Sequence, residues 1–142
     1  MSGSDESPDM VARWMEKAEN DLRNATHTLT LQEDCPFDTV CFHAQQCVEK
    51  RLKAILLRFG ADVPRTHDLR AILQMVPASS GLDIDLSEIL PLNRYSIEAR
   101  YPGDWEPITR EEAEDAVRIA LKVSERTRQL LLSGSGGPPE RK

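Results

Sequence analysis

The chain has 142 residues, a net charge of −6, and 30% charged against 39% hydrophobic residues, which suits one soluble domain with a real core and leaves too little for two. An acidic chain is repelled by bulk nucleic acid and by anionic membranes unless a local basic patch faces them, and no apolar run reaches the roughly 18 residues needed to span a bilayer. Aromatic residues make up only 5%, so aliphatic packing has to hold the core.

Residues 1–8 are polar and acidic, and read as a disordered tail rather than a signal peptide. A helical domain is expected over 9–132, followed by a flexible SGSGGPPERK tail over 133–142. The first helix starts near Asp9, a good N-cap, and carries an apolar stripe through Val11, Trp14 or Met15, Ala18, Leu22, Ala25 and Leu29. QEDCPFD breaks it. The second helix runs from about Asp38 to Phe59, with Gly60 as its stop. Its stripe of Cys41, Ala44, Val48, Leu52, Ile55 and Phe59 is widened by Val40, Cys47, Ala54 and Leu56, as expected of a central helix with several neighbours.

Thr66 or Asp68 caps a third helix holding Leu69, Ile72, Leu73 and Val76, which ends at Pro77. A fourth helix is expected from a cap at Asp85 or Ser87 through Ile89, Leu90, Ile97 and Ala99, kinked or started at Pro91. After the YPGDWEP loop, Thr109 and Glu112 form a capping box for a fifth helix that runs to about Leu132. No segment alternates with period two for long enough to be a strand. The expected fold is all-α, an antiparallel up-and-down bundle of four or five helices, with the first, second and fifth long and nearly antiparallel.

The second helix contains FHAQQCVEKRLKAIL (42–56), where polar residues crowd an apolar stripe. Gln45 and Glu49 share one face, and His43, Gln46, Lys50 and Lys53 make a second polar row. Either this is a solvated face with supporting ion pairs, or it is a polar ridge at a helix–helix groove that receives a ligand. Lys50, Arg51, Lys53 and Arg58 against Glu49 make the stretch locally basic, which favours an anion such as a nucleotide phosphate or an RNA backbone. Asp21 lies beside the first stripe, placed to pair with a cation of a neighbouring helix. His67, in THDL, reads as a loop residue that hydrogen-bonds the entrance of the third helix, or as a ligand contact.

Arg94, Tyr95, Arg100 and Tyr101 bring guanidinium groups and phenols to the end of the fourth helix. Arg binds phosphate in a bidentate way and Tyr stacks on a base, though the same pair can simply hold a carboxylate and pack a ring. If Arg100 lies near Gln45, Glu49 and Lys50, the group can instead be a buried polar network that sets dimer register. The three cysteines, Cys35, Cys41 and Cys47, are an odd set without a secretion signal and point to reduced thiols in a cytoplasm. Cys41, His43 and Cys47 lack zinc spacing. A Cys47–His43 nucleophile pair would lack an orienting group. Neither a metal nor a cofactor is expected.

Trp14 to Asp21-Leu22, CFHAQQCVEKRLKAILL, Pro64 with Thr66 to Leu69, and Ala99 to Pro102 occur in an order and spacing that resemble the HEPN domain family. The resemblance covers roughly residues 9–132. It implies a small helical bundle, usually a homodimer, whose members cut RNA or bind nucleotides and are often encoded with a minimal nucleotidyltransferase. The family's ribonucleases carry Arg, four to six residues, then His on a late helix, so that His moves protons and Arg steadies the phosphate. Here His27, His43 and His67 all precede the fourth helix, and no His follows Arg94 or Arg100. The expectation is therefore a nucleotide- or RNA-binding HEPN-like domain without that catalytic pair, partnered with a nucleotidyltransferase in a toxin–antitoxin-type system. Arg94, Arg100, Tyr101, Lys50 and Lys53 would bind, supported by Gln45, Gln46, Glu49, Asp21 and His67. The alternatives are a dimerising, protein-binding module and a ribonuclease that uses another base.

Overall fold

The computed structural model describes residues 2–96 and 107–136. Helix α1 spans Ser2–Leu29, α2 Phe37–Arg58, α3 Leu69–Met75, α4 Leu86–Ile89 and α5 Arg110–Gly136. Short 3₁₀ turns occupy Ala78–Ser80 and Leu90–Tyr95. Among the described residues there is no strand, and the expected all-α bundle is what the chain forms.

Helix α2 is the axis of the bundle. Val40, Cys41, Ala44, Cys47, Val48, Leu52, Ile55 and Leu56 are all fully buried. Small residues at 44, 47 and 54 let neighbouring helices come close, and the leucines and isoleucines fill the space between them. Ala18, Leu22 and Ala25 of α1 pack against one side of α2, and Ala113, Ala116, Ala120 and Val123 of α5 against another. Helix α2 ends as expected at Gly60, whose φ of +83° favours glycine. The Gly60 amide donates to the Leu57 carbonyl at 3.2 Å and the Ala61 amide to the Leu56 carbonyl at 2.8 Å, which is a Schellman closure.

Helix α1 begins at Ser2, ahead of the Asp9 cap, with Pro8 inside it. The other predicted caps form. Asp68 accepts from the Arg70 amide at 3.0 Å and Asp85 from the Ser87 amide at 3.2 Å. Thr109 and Glu112 exchange reciprocal bonds, each 3.1 Å. The fourth helix departs from expectation. Only Leu86–Ile89 is α-helical, and the chain then tightens into the 3₁₀ turn Leu90–Tyr95. Pro91 has no N–H for the helical ladder and its ring crowds the preceding turn, which disfavours carrying an α-helix started at Leu86 on through it. The expected continuation through Ile97 and Ala99 lies outside the described residues.

Chain direction follows from the contacts. Arg110, at the start of α5, donates to the Leu29 and Leu31 carbonyls at 3.2 and 2.6 Å and lies 5.0 Å over the Phe37 ring. It thus closes the C-terminal end of α1 beside the start of α2. Further along, Cys47 and Ser124 touch at 3.4 Å. Helix α5 therefore runs against α1 and in the same sense as α2, while the broken segment 69–96 supplies the return pass between α2 and α5. The Asn93 side chain fastens that segment to α3: its oxygen accepts from the Leu69 amide and its nitrogen donates to Asp68, both at 2.8 Å.

Because Leu52 is fully enclosed at the centre of α2, Leu52→Ala should cost about 2–5 kcal/mol in urea unfolding. Leu121→Ala, on the exposed face of α5, should stay within about 0.5 kcal/mol of the wild type.

Candidate functional site

The polar residues of α2 do not form a solvated face. Gln45 is 0%, Glu49 2% and Lys53 5% exposed, so the second helix buries a carboxylate and an ammonium in its middle turns. Burying an ion is costly unless its hydrogen-bonding capacity is filled. Glu49 meets that condition. It accepts from Lys53 Nζ at 2.8 Å, Gln45 Nε2 at 3.0 Å, Gln46 Nε2 at 3.4 Å and His67 Nδ1 at 2.9 Å. Gln46 also donates to Gln45 Oε1 at 2.8 Å, and Gln45 to the His67 carbonyl at 3.3 Å. Two turns of α2 and the loop entering α3 are thus tied to one carboxylate.

A second carboxylate organises the contact between α1 and α2. Asp21 receives Lys50 Nζ at 2.6 Å on one oxygen and His43 Nδ1 at 2.8 Å on the other. A carboxylate can only accept, so it fixes the His43 proton on Nδ1 and turns Nε2 away. Lys50 and His43 keep 23% and 22% of their side chains exposed. Farther along the seam, Lys53 Nζ lies 5.6 Å from the centre of the Trp14 ring, and Arg51, almost wholly buried, reaches Glu19 at 2.8 Å and the Met15 sulfur at 3.6 Å. The stretch that looks basic in sequence is therefore electrically matched. Lys50, Arg51 and Lys53 each hold a carboxylate, two of them supplied by α1.

The structure brings Asp21 and Lys50 together, and Gln45, Gln46, Glu49, Lys53 and His67 together. Arg94 stands elsewhere, on the turn before the undescribed segment, where it meets Glu112 at 3.0 Å and lies 5.3 Å over the Tyr95 ring. There it rims a groove of about 260 Å³ between Pro91, Leu92 and Tyr95 on one side and Asp115, Ala116 and Ile119 of α5 on the other. Arg100 and Tyr101 lie outside the described residues, and with them the expected meeting of Arg100 with Lys50 and Lys53. Sequence reasoning missed Asn93, whose partners are more than twenty residues away, and it read Trp14 only as stripe and motif.

Tyr95 is buried, and burial together with the nearby Cys41 and Glu112 pushes its phenol up to about 12. The Cys47 thiol is also raised by burial, although Ser124 and Arg51 pull the other way. It is a packed group against α5, while His43 belongs to Asp21, so the two form no nucleophile pair. Among the described residues no cluster of three or more His, Cys, Asp or Glu could hold a metal ion, and no helix is long and apolar enough to cross a membrane.

Two outcomes follow from this geometry. Glu49→Ala strands Lys53 as a buried, unpaired charge and should cost about 3–5 kcal/mol, whereas Glu49→Leu with Lys53→Met should recover most of that loss in denaturant unfolding. A raised phenol pKa means the folded state holds its proton more tightly than the unfolded chain. The contribution of Tyr95 to stability is then complete below about pH 10 and lost as the pH rises through about 12. Absorbance titration at about 295 nm of a Tyr101→Phe protein should show that late ionisation in the folded state, and a normal one in urea.

A family model for the HEPN domain matches residues 11–130, from the third turn of α1 into the C-terminal half of α5. Two solved structures are similar, each over 84% of this chain and 97% of its own. TT1696 from Thermus thermophilus is 29% identical with a TM-score of 0.69, and ST0689, an archaeal HEPN homologue, is 24% identical with a TM-score of 0.65. No curated protein matches. With the family model covering most of its length and the same bundle in both neighbours, the chain belongs to the HEPN domain family.

Proposed function

We propose that this chain is a HEPN domain that binds the phosphate of a nucleotide or of RNA, acting as a homodimer beside a minimal nucleotidyltransferase in a toxin–antitoxin-type pair, without ribonuclease activity of its own. The observation that carries the binding reading is the trio at Asp21. Lys50 uses one of its three N–H donors on that carboxylate and has two left. His43 is held by its Nδ1, and its Nε2 makes no hydrogen bond among the described residues. Both side chains are part-exposed at the α1–α2 seam, aligned in advance by a buried anion, which is how a phosphate site is preorganised. The family's Arg and His pair is missing from the sequence, which supports binding over cutting.

A second reading has an observation of its own. Lys50, Lys53 and Arg94 each already hold a carboxylate, as they would in a protein-binding or dimerising module whose polar residues set geometry rather than recognise a ligand.

A thermal-shift series with ATP, GTP and a short RNA separates the two. A ligand at about 100 times its Kd stabilises by about 2.7 kcal/mol, enough to raise Tm by several degrees. The expected result is such a rise for at least one of the three, lost in Lys50→Ala with His43→Ala. No rise with any of them, with or without an added minimal nucleotidyltransferase, favours the interface reading. Light scattering on the purified chain tests the homodimer directly.

A further inference from the structure

The Asp21 trio lies midway along the α1–α2 seam, and Trp14 two turns nearer the N-terminus of α1. Positions 14, 17 and 21 share a face of α1, and the seven-residue step is a rise of about 10.5 Å. Trp14 is half-buried, its indole held beside the Lys53 ammonium. Lys17, between Trp14 and Asp21, is exposed and makes no ion pair among the described residues. The paired groups of the seam balance, with Lys50, Arg51 and Lys53 against Asp21, Glu19 and Glu49, and Lys17 adds an exposed ammonium beside them on a chain of net charge −6. Of the other rings beside the seam, Phe42 is engaged edge-on with His43 at 5.2 Å and 70°, and Phe37 lies under the Arg110 guanidinium. Among the described residues one indole is therefore left for one base.

We infer that the seam is a mononucleotide site of fixed orientation, with the base on Trp14 and the phosphate on Lys50 and His43. This rests on the nucleotide-binding reading above and names the base-recognising residue within it. Asp21 keeps the His43 proton on Nδ1, so Nε2 either accepts a proton from a phosphate hydroxyl or, as imidazolium, donates to a phosphate oxygen. Lys17 lies on the path between base and phosphate, where a second phosphate or the ribose would pass. A longer RNA strand needs a platform for each base along a cationic groove. Among the described residues the seam offers one ring in line with the Asp21 trio that no other ring engages, so a mononucleotide fits it better than a strand does.

The test compares ATP with tripolyphosphate, which carries the charge without the base. In a Trp105→Phe protein, where Trp14 is the sole tryptophan, ATP should quench the indole emission and tripolyphosphate should not, although calorimetry registers both as ligands. Trp14→Leu should weaken ATP roughly ten-fold or more and leave tripolyphosphate unchanged, and Trp14→Phe should keep most of the ATP affinity. Helical circular dichroism and thermal unfolding check that each variant is folded. Equal affinity of the wild type for ATP and tripolyphosphate, with no change in Trp14→Leu, overturns the assignment of Trp14 and leaves phosphate binding standing. A Trp14→Phe protein as weak for ATP as Trp14→Leu also counts against stacking. If neither ligand binds the wild type, both the orientation and the nucleotide-binding reading fall.

Discussion

Glu49 is an ionisable group at 2% exposure in the middle of the central helix, and much of the bundle's polar architecture follows from keeping it satisfied. Its donors come from one turn before it, one turn after it and the loop before α3. The loop cannot move without uncovering an anion in a low-dielectric interior, where an unpaired charge is far more costly than in water. His67 is thereby pinned, the adjacent Asp68 is set to cap α3, and Asn93 bonds Asp68 and the first amide of α3. A chain of hydrogen bonds thus runs from α2 to the turn that carries Arg94 and Tyr95. Part of the return segment is too short to be helical by its own propensity. It is held by this chain and by Leu69, Ile72, Ile89 and Leu92 pressed into the core.

Helix α2 tolerates buried charge because its other faces are so apolar. Aliphatic and small residues line its contacts with α1 and α5, and the polar row is confined to the side where α1 and the α2–α3 loop can supply partners. Asp21 and Glu19 of α1 answer Lys50 and Arg51, and these pairings fix how α1 lies along α2. A shift of one turn would leave every pair unmatched, so the register is specified by charge as well as by shape. The same matching makes the seam locally ordered. Side chains that would sample many rotamers on an open surface are held here, and a ligand meeting them loses less entropy than it would on a mobile surface.

How legible was this in the residues? Helices α1, α2 and α5 were, because each has a long stripe of period 3.6 and a recognisable stop or cap: Gly60 for α2, Thr109 with Glu112 for α5. The α3 cap was open to Thr66 or Asp68, and Asp68 provides it. The fourth helix was over-extended. The apolar residues at 89 and 90 fit a helix, but Pro91 turns the backbone into a 3₁₀ form, a local steric fact that outweighs the pattern. Of the candidate site, the crowding of Gln45, Gln46, Glu49, Lys50 and Lys53 was visible as an anomaly on an apolar helix. Its resolution was not. Whether a lysine faces solvent, a phosphate or a carboxylate depends on which residue of another helix lies opposite it, and Asp21 is twenty-nine positions away from Lys50.

Composition, helical periodicity and capping residues determined by themselves that this chain is an all-α bundle with a central second helix, and its short motifs carried the resemblance to HEPN domains. These properties act over one to four residues and survive in any tertiary setting. Only the folded molecule decided that Glu49 and Lys53 are interior and that Lys50 and His43 share Asp21. It also decided that α5 follows α2 in direction, and that Trp14 and the Asp21 trio end up along one seam. Each of these is a meeting of side chains remote in sequence, brought together by the burial of apolar faces and then locked by the requirement that no buried charge be left without a partner.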